Sequence, residues 1–312
     1  MKYNLAFKYR IYPNKEQELL INKTFGCVRF VYNTILYTAN KFYEETGKNK
    51  IITPASLKSE NQFLKEVDSL ALSNAQLNVK RSFTNFFQKR AKFPRFKSKK
   101  NNVKSYTTNC VNNSIRIEEN KYLVLPKLKK VKLKYHREIP KNYRIKSVTL
   151  TNSNGNYYVS ILTEFEKEIQ KISSNDKVIG LDFSMSELFV SSENQRADYP
   201  RYFRMLEKKL KKLQKSLSRK VKFSKNWYKQ KAKISKLHEY IKNCRRDFLH
   251  KLSKKLSETY NAVVVEDLNM KGMSQALNFG KSVGDNGWGM FLRMLEYKLM
   301  FLGKQFLKID KW

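Results

Sequence analysis

Two short apolar runs in this sequence stop at acids. Residues 262–266, Ala-Val-Val-Val-Glu, bring the chain to Glu266 and Asp267, and residues 178–182, Val-Ile-Gly-Leu-Asp, bring it to Asp182. Runs of this kind read as strands buried on both faces. Asp182 and Glu266 lie far apart in the chain, but adjacent strands of one sheet can bring them together. Carboxylates held that close repel one another and are costly to desolvate, unless a divalent cation sits between them. Hard oxygen donors suit Mg2+ or Mn2+. Two such ions about 3.5–4 Å apart can hydrolyse a phosphodiester, one activating water and the other stabilising the leaving oxygen. Acids at strand ends also serve as plain turn or cap residues, and spacing alone leaves both readings open.

The chain around these acids is strongly basic. It has 64 Lys and Arg against 27 Asp and Glu, a formal net charge of +37 over 312 residues. Such a surplus repels itself in the compact state and points to a polyanionic partner; the plainer alternative is a solvated basic surface. No uninterrupted apolar run approaches the ~20 residues needed to span a bilayer. Lys2, Lys8 and Arg10 interrupt any apolar signal-peptide segment at the start. Cys27, Cys110 and Cys244 are scattered and form no CxxC pair, so neither a disulfide framework nor a zinc site can be argued from them. The class expected is a cytoplasmic protein that holds nucleic acid. Its 41% hydrophobic content supports a sizeable core in two or three domains, and only 10 Gly and 6 Pro argue against long disordered linkers.

Several elements would have to position the acids. Leu5, Phe7, Tyr9 and Ile11 alternate with Lys8 and Arg10, which predicts a half-buried strand. Pro13 ends it, and Asn14 with Gln17 makes a capping-box start for a helix that continues through 25–36. A further helix is expected over 73–90, with Phe83 and Phe87 as core residues and with Lys80, Arg81, Lys89 and Arg90 flanking. Arg95 and Lys97 follow in a basic, turn-rich segment. These six cations are the candidate phosphate contacts, chosen from charge alone. Residues 114–135 alternate around a turn at Glu119–Asn120, and 147–166 read as a hairpin around 152–156. Together with the first strand, these runs could close a small barrel. From Tyr202 onward, Leu206, Leu210, Leu213 and Leu217 mark one helical stripe. Leu237, Ile241, Cys244, Phe248, Leu252 and Leu256 mark another, after a break near 223–226. His238 and His250 in this stretch lack ligand spacing.

The segments "VIGLDFSMSELFVSS" (178–192), "VVVEDLNMKGM" (263–273) and "NGWGMFLRMLEYKLMFLGKQFLKIDKW" (286–312) resemble the RuvC-type core of the TnpB (OrfB) family of transposon-encoded, RNA-guided DNA nucleases. "FKYRIYPNKEQELLINKTFGCVRFVYN" (7–33) and "FPRFKSKK" (93–100) are similar to the same family, so the resemblance runs in order over essentially the whole chain. It implies an α+β multidomain fold. A small, wedge-like β-barrel (1–12 and 100–172) carries an inserted helical recognition unit (13–99). An incomplete RNase H-like, RuvC-type α/β domain follows (173–312), with a helical hairpin inserted at about 202–259. By position, Asp182 and Glu266 match the first two catalytic and metal-binding acids, with Mg2+ or Mn2+ as cofactor, and Asp267 is a structural companion. Trp288 to Leu302 would cover the sheet, with Trp288, Phe291, Leu292, Leu295 and Leu299 facing the core and Leu302 either joining them or approaching the cap.

Beyond a position like Trp312, the family continues through a zinc ribbon with two CxxC pairs and a helix bearing a third catalytic aspartate. None of these is in the sequence, and neither Asp285 nor Asp310 matches the missing acid. The expectation is therefore a C-terminally truncated nuclease with impaired cutting and no zinc ligands. Its partners would be a guide RNA from the transposon end and target DNA, without a membrane, at the bacterial nucleoid. The alternatives are an inactive RNA-guided DNA-binding regulator, a decayed remnant, or a general basic RNA-binding protein with chance strand-end acids.

Overall fold

The computed structural model begins with β1 (Lys2–Tyr12), whose alternation buries Phe7, Tyr9 and Ile11 and exposes Lys8 and Arg10. Residues 1–100, 104–169, 177–276 and 280–310 are described. The chain divides into two units, residues 1–167 and 168–312.

In the first unit, α1 (Lys15–Thr46) starts where the capping box predicts. Asn14 Oδ1 accepts from Gln17 N at 2.8 Å, and Gln17 Oε1 accepts from Asn14 N at 3.0 Å. Gly47 closes the helix at φ 67°, a left-handed cap that costs glycine nothing. After the short α2 (Pro54–Leu57), Asp68 caps α3 (Ser69–Phe87) by accepting from Leu70 N. The strands are β2 (Lys104–Asn109), β3 (Arg116–Glu118), β4 (Tyr122–Leu125), β5 (Lys129–Leu133), β6 (Arg144–Ser153) and β7 (Asn156–Glu166). With β1 they form one antiparallel sheet in the order β2-β6-β7-β1-β5-β4-β3.

The two hairpin turns expected from the sequence use left-handed residues. Glu119 and Asn120 join β3 to β4, and Asn154 with Gly155 joins β6 to β7 opposite the Ser153–Asn156 pair. The second turn is thus two residues long, tighter than the expected 152–156. The closed barrel does not form: among the described residues no ladder joins β2 to β3, and the sheet stays open. Helices cover it instead. Val28, Val31 and Ile35 of α1 and Ala71, Leu72 and Val79 of α3 share one core with Phe7, Val148, Leu150 and Val159 of the sheet. A sheet whose apolar face is buried by helices has no need to close on itself.

In the second unit, β8 (Val178–Phe183), β10 (Ala262–Glu266) and β11 (Gln305–Ile309) run parallel, and β9 (Phe189–Ser191) lies antiparallel beside β8, giving the order β11-β10-β8-β9. Between β9 and β10, α4 (Tyr202–Ser218) and α5 (Lys225–Thr259) pair through Leu210, Leu237 and Ile241. After β10 come α6 (Met270–Ala276), α7 (Gly280–Asn286) and α8 (Trp288–Phe301). Trp288, Phe291, Leu295 and Leu299 of α8 join Leu249 and Leu256 of α5 over Ile179, Leu181, Val263 and Val265. Leu292 is half-buried, and Leu302 is exposed and caps the helix. Among the described residues no helix is long and apolar enough to cross a membrane.

Candidate active site

The parallel register of β8 and β10 places Leu181 beside Val265, so the next residues along, Asp182 and Glu266, stand at the same level near the ends of neighbouring strands. Side chains alternate across a strand. Leu181 and Val265 point into the core under α8, whereas Asp182 and Glu266 share the opposite face with Gly180 and Val264. That face is open. A shallow cleft of about 510 Å3 runs over it, bounded by Asp182, Glu266, Ser192, Val264, Ile309 and Asp310. Asp182 is exposed and Glu266 half-buried, while Val178, Leu307 and Ile309 on the same face are exposed.

The neighbouring acids have other work. Asp267 N donates to Ile309 O at 3.0 Å, and its carboxylate accepts from Lys308 Nζ at 3.4 Å, so it ties the end of β10 to β11. Asp285 is buried against Arg245 Nη2 at 3.0 Å and accepts from Phe203 N at 3.2 Å. Asp310 borders the cleft, yet the described residues contain no group of three acids, histidines or cysteines that could together hold a metal. At the strand ends stands a pair of oxygen donors, Asp182 and Glu266, open to water, with Asp310 at the edge of the same cleft. That donor set fits a hydrated hard cation in kind, because Mg2+ commonly keeps several waters and takes one or two carboxylates.

One positioning residue escaped the sequence. Asn286 is buried and donates from Nδ2 to Ser184 O at 3.0 Å and Glu187 O at 2.7 Å, pinning the loop that follows Asp182. A polar residue ahead of a helix is too common a signal to have singled it out. His238 is exposed and His250 half-buried within α5, and burial together with the charge of Lys298 pushes the His250 imidazole down.

All six candidate phosphate contacts, Lys80, Arg81, Lys89, Arg90, Arg95 and Lys97, belong to the first unit and are exposed. Asn33 holds the backbone at Lys97 by two hydrogen bonds of 2.8 and 3.0 Å, and the Lys97 ammonium lies 4.1 Å over the Tyr32 ring, where desolvation lowers its pKa. Lys97 lines a cleft of about 210 Å3 together with Arg29, Lys99 and Lys104, which charge counting along single segments did not connect. Phe83 packs on the core as expected. Phe87 does not: it is 66% exposed at the very end of α3. It rests instead on Phe86, 5.4 Å between ring centres, which in turn meets Phe93 at 5.2 Å.

Comparison with known proteins identifies the family. Residues 153–277 match the OrfB_IS605 family, described as a probable transposase, and residues 1–48 match a pattern described as a helix-turn-helix domain of the same family. Residues 1–48 fold as β1 and the single helix α1, so no turn joins two helices within them. The chain is 33% identical to the putative RNA-guided DNA endonuclease InsQ of Escherichia coli K12, over 99% of this chain and 81% of that protein. It is 32% identical to a putative RNA-guided DNA endonuclease of Streptomyces pristinaespiralis, over 98% of this chain and 77% of that one. A chain of the Cas12f1–sgRNA–target DNA complex has a similar fold, with TM-score 0.63 and 11% identity over 99% of this chain and 89% of that chain.

Proposed function

The chain belongs to the OrfB_IS605 family of probable transposases, and from that membership we propose that it is an RNA-guided DNA endonuclease. The observation that carries the proposal is the pairing of Asp182 and Glu266 at the ends of adjacent parallel strands, on a sheet face left open to solvent. Two relatives matched over nearly the whole chain bear that activity in their names. A net charge of +37 suits a protein that must hold RNA and DNA together.

In this proposal residues 173–312 are the RuvC-type nuclease domain, with the α4–α5 hairpin (about 202–259) as its insertion. Residues 1–12 and 100–172 form a wedge-like domain, and 13–99 a helical recognition part. Lys80, Arg81, Lys89, Arg90, Arg95 and Lys97 contact phosphates. Asp182 and Glu266 would hold Mg2+ or Mn2+, which when bound supplies polarisation of the scissile phosphate and activation of water. Asp267 and Asn286 keep the strand end and the following loop in place around them. Two carboxylates fill only part of a six-ligand shell, so metal affinity through these residues alone is weak and cutting slow. The guide RNA comes from the transposon's own end, the target is DNA, and the protein works at the bacterial nucleoid without a membrane.

A second reading, an RNA-guided DNA-binding regulator that does not cut, is favoured by the lack of a three-carboxylate group among the described residues. One experiment separates the two. The purified chain is mixed with RNA transcribed from the element's end and plasmid DNA matching its guide, with Mg2+ or with EDTA, and both cutting and gel shift are read. Mg2+-dependent cutting that Asp182→Ala abolishes supports the endonuclease. Guide-directed binding without cutting establishes the regulator, and neither cutting nor guide-directed binding refutes both.

A further inference from the structure

The tip of the α4–α5 hairpin is built unlike a structural turn. Residues 219–231, Arg-Lys-Val-Lys-Phe-Ser-Lys-Asn-Trp-Tyr-Lys-Gln-Lys, carry six Lys or Arg and no acid. Among them stand three aromatic rings in sequence contact: Phe223 and Trp227 are 5.6 Å apart, Trp227 and Tyr228 5.1 Å. Phe223 is 66% exposed and Tyr228 54%. None of the three joins the apolar cluster that holds the hairpin together, which is centred on Leu210, Leu237 and Ile241.

Phe223 also has φ 66°, the one aromatic side chain with a positive φ among the described residues. The left-handed region disfavours a bulky side chain, and a ring held there while facing water gains nothing from burial to offset the strain. Glycine or asparagine would make the same turn at lower cost.

The platform is held firm. Ser224 Oγ accepts from Trp227 N at 3.1 Å to cap α5, and the Lys231 ammonium lies 5.0 Å over the Trp227 ring. Buried Gln230 donates to Leu213 O at 3.0 Å, bracing α5 on α4 just below the tip. Rigid aromatic rings with cations around them suit unpaired bases, which stack on the rings while the cations meet the phosphates. Duplexes hide their bases, whereas folded RNA displays them in loops and bulges.

We infer that this tip is a stacking platform for unpaired nucleotides of a folded RNA. The inference rests on the proposed function only for the choice of RNA as partner, and it needs neither Asp182 nor Glu266.

The test measures fluorescence anisotropy with three labelled probes: an RNA stem–loop with an oligouridine loop, a blunt RNA duplex, and a DNA stem–loop of matching sequence. The variant is Phe223→Gly with Tyr228→Ser. Glycine relieves the backbone strain at 223, so the thermal midpoint should not fall, and lost binding then reflects the missing rings. Affinity for the RNA stem–loop is expected to drop about tenfold or more, with the duplex unchanged. A Phe223→Trp variant should bind the stem–loop as well as the parent. Equal loss on duplex and stem–loop, or no loss, overturns the platform. A DNA stem–loop that loses as much as the RNA one overturns RNA as the partner. The readings are made in EDTA, where no probe is cut, so a chain that cuts nothing still supports the platform if the aromatic variant loses loop binding.

Discussion

Replacing Asp285 with Ala is expected to destabilise the second unit by about 3 kcal/mol. The Asp285 side chain is 3% exposed and its partner Arg245 20%. Besides the 3.0 Å ion pair, Asp285 accepts from Phe203 N in the first turn of α4, and Arg245 Nε donates to Tyr199 OH at 3.1 Å. The substitution leaves a guanidinium with a single neutral acceptor and a helix-start N–H with none. Breaking a buried pair costs about 3–5 kcal/mol; the low end applies because Arg245 can still reach some water. Removing both charges should cost less than removing one, since no uncompensated ion is left behind. Arg245→Met with Asp285→Leu is therefore expected within about 1 kcal/mol of the parent. Urea unfolding followed by circular dichroism gives the stabilities, and hydrogen exchange along α4 tests where the loss falls. A cost below about 1 kcal/mol for Asp285→Ala, or a double variant as unstable as the single, would refute the assignment of the pair as a buried structural strut.

Three further outcomes are expected. Leu295, fully buried under β8 and β10, should cost about 3–5 kcal/mol as Ala in the same unfolding assay; a loss below 1.5 kcal/mol would mean α8 is not the main cover of that sheet face. Burial holds the Lys298 ammonium, which donates to His250 O and Ser253 Oγ, down at about 8. Between about pH 8 and the ordinary lysine value near 10.4, the unfolded chain then binds the extra proton, so stability should rise with pH through that window and be flat below it, and Lys298→Met should remove the rise. For the phosphate contacts, Lys80/Arg81/Arg95→Ala together should lower the slope of log affinity against log salt by about three units on duplex DNA, and an unchanged slope would remove these positions from the interface.

What could be read before folding was whatever depends on neighbours in sequence. The Asn14–Gln17 capping box, the alternation of β1, the Asn154–Gly155 turn and the two strands ending at Asp182 and Glu266 all follow from local chemistry or from a period of two. A break between the two helical stripes was also legible, though it was expected near 223–226 and lies at 219–224, because Ser224 caps α5 and draws Lys225 and Asn226 into the helix. Closure of the sheet was not, because it depends on whether the distant strands β2 and β3 meet, and their own residues say nothing of that. Phe87 has the same apolar character as Phe83, four residues earlier; only the position of the helix end separates an exposed ring from a packed one. The cleft formed by Arg29, Lys97, Lys99 and Lys104 draws on a helix, a loop and a strand, and the Arg245–Asp285 pair joins two helices. Such contacts are tertiary and leave no local trace. That Asp182 and Glu266 lie on neighbouring strands rested on resemblance, since each strand end alone fits a turn residue equally well.

The long ladder of the first unit also sets a timetable for synthesis. Lys2 pairs with Glu166 and Ile11 with Tyr157, so the first strand to leave the ribosome must wait for almost the last residues of its unit. At 5–20 residues per second that delay is roughly 8–30 s. Helix α1, capped by its own residues, can form at once, but its apolar side and the inward face of β1 stay without a sheet to rest on. In that interval Lys2, Lys8 and Arg10 are the guard: their charges line the outer face of β1 and discourage pairing with another nascent chain. Neutralising them should lower the yield of soluble protein made in cells while leaving the stability of the finished fold almost unchanged.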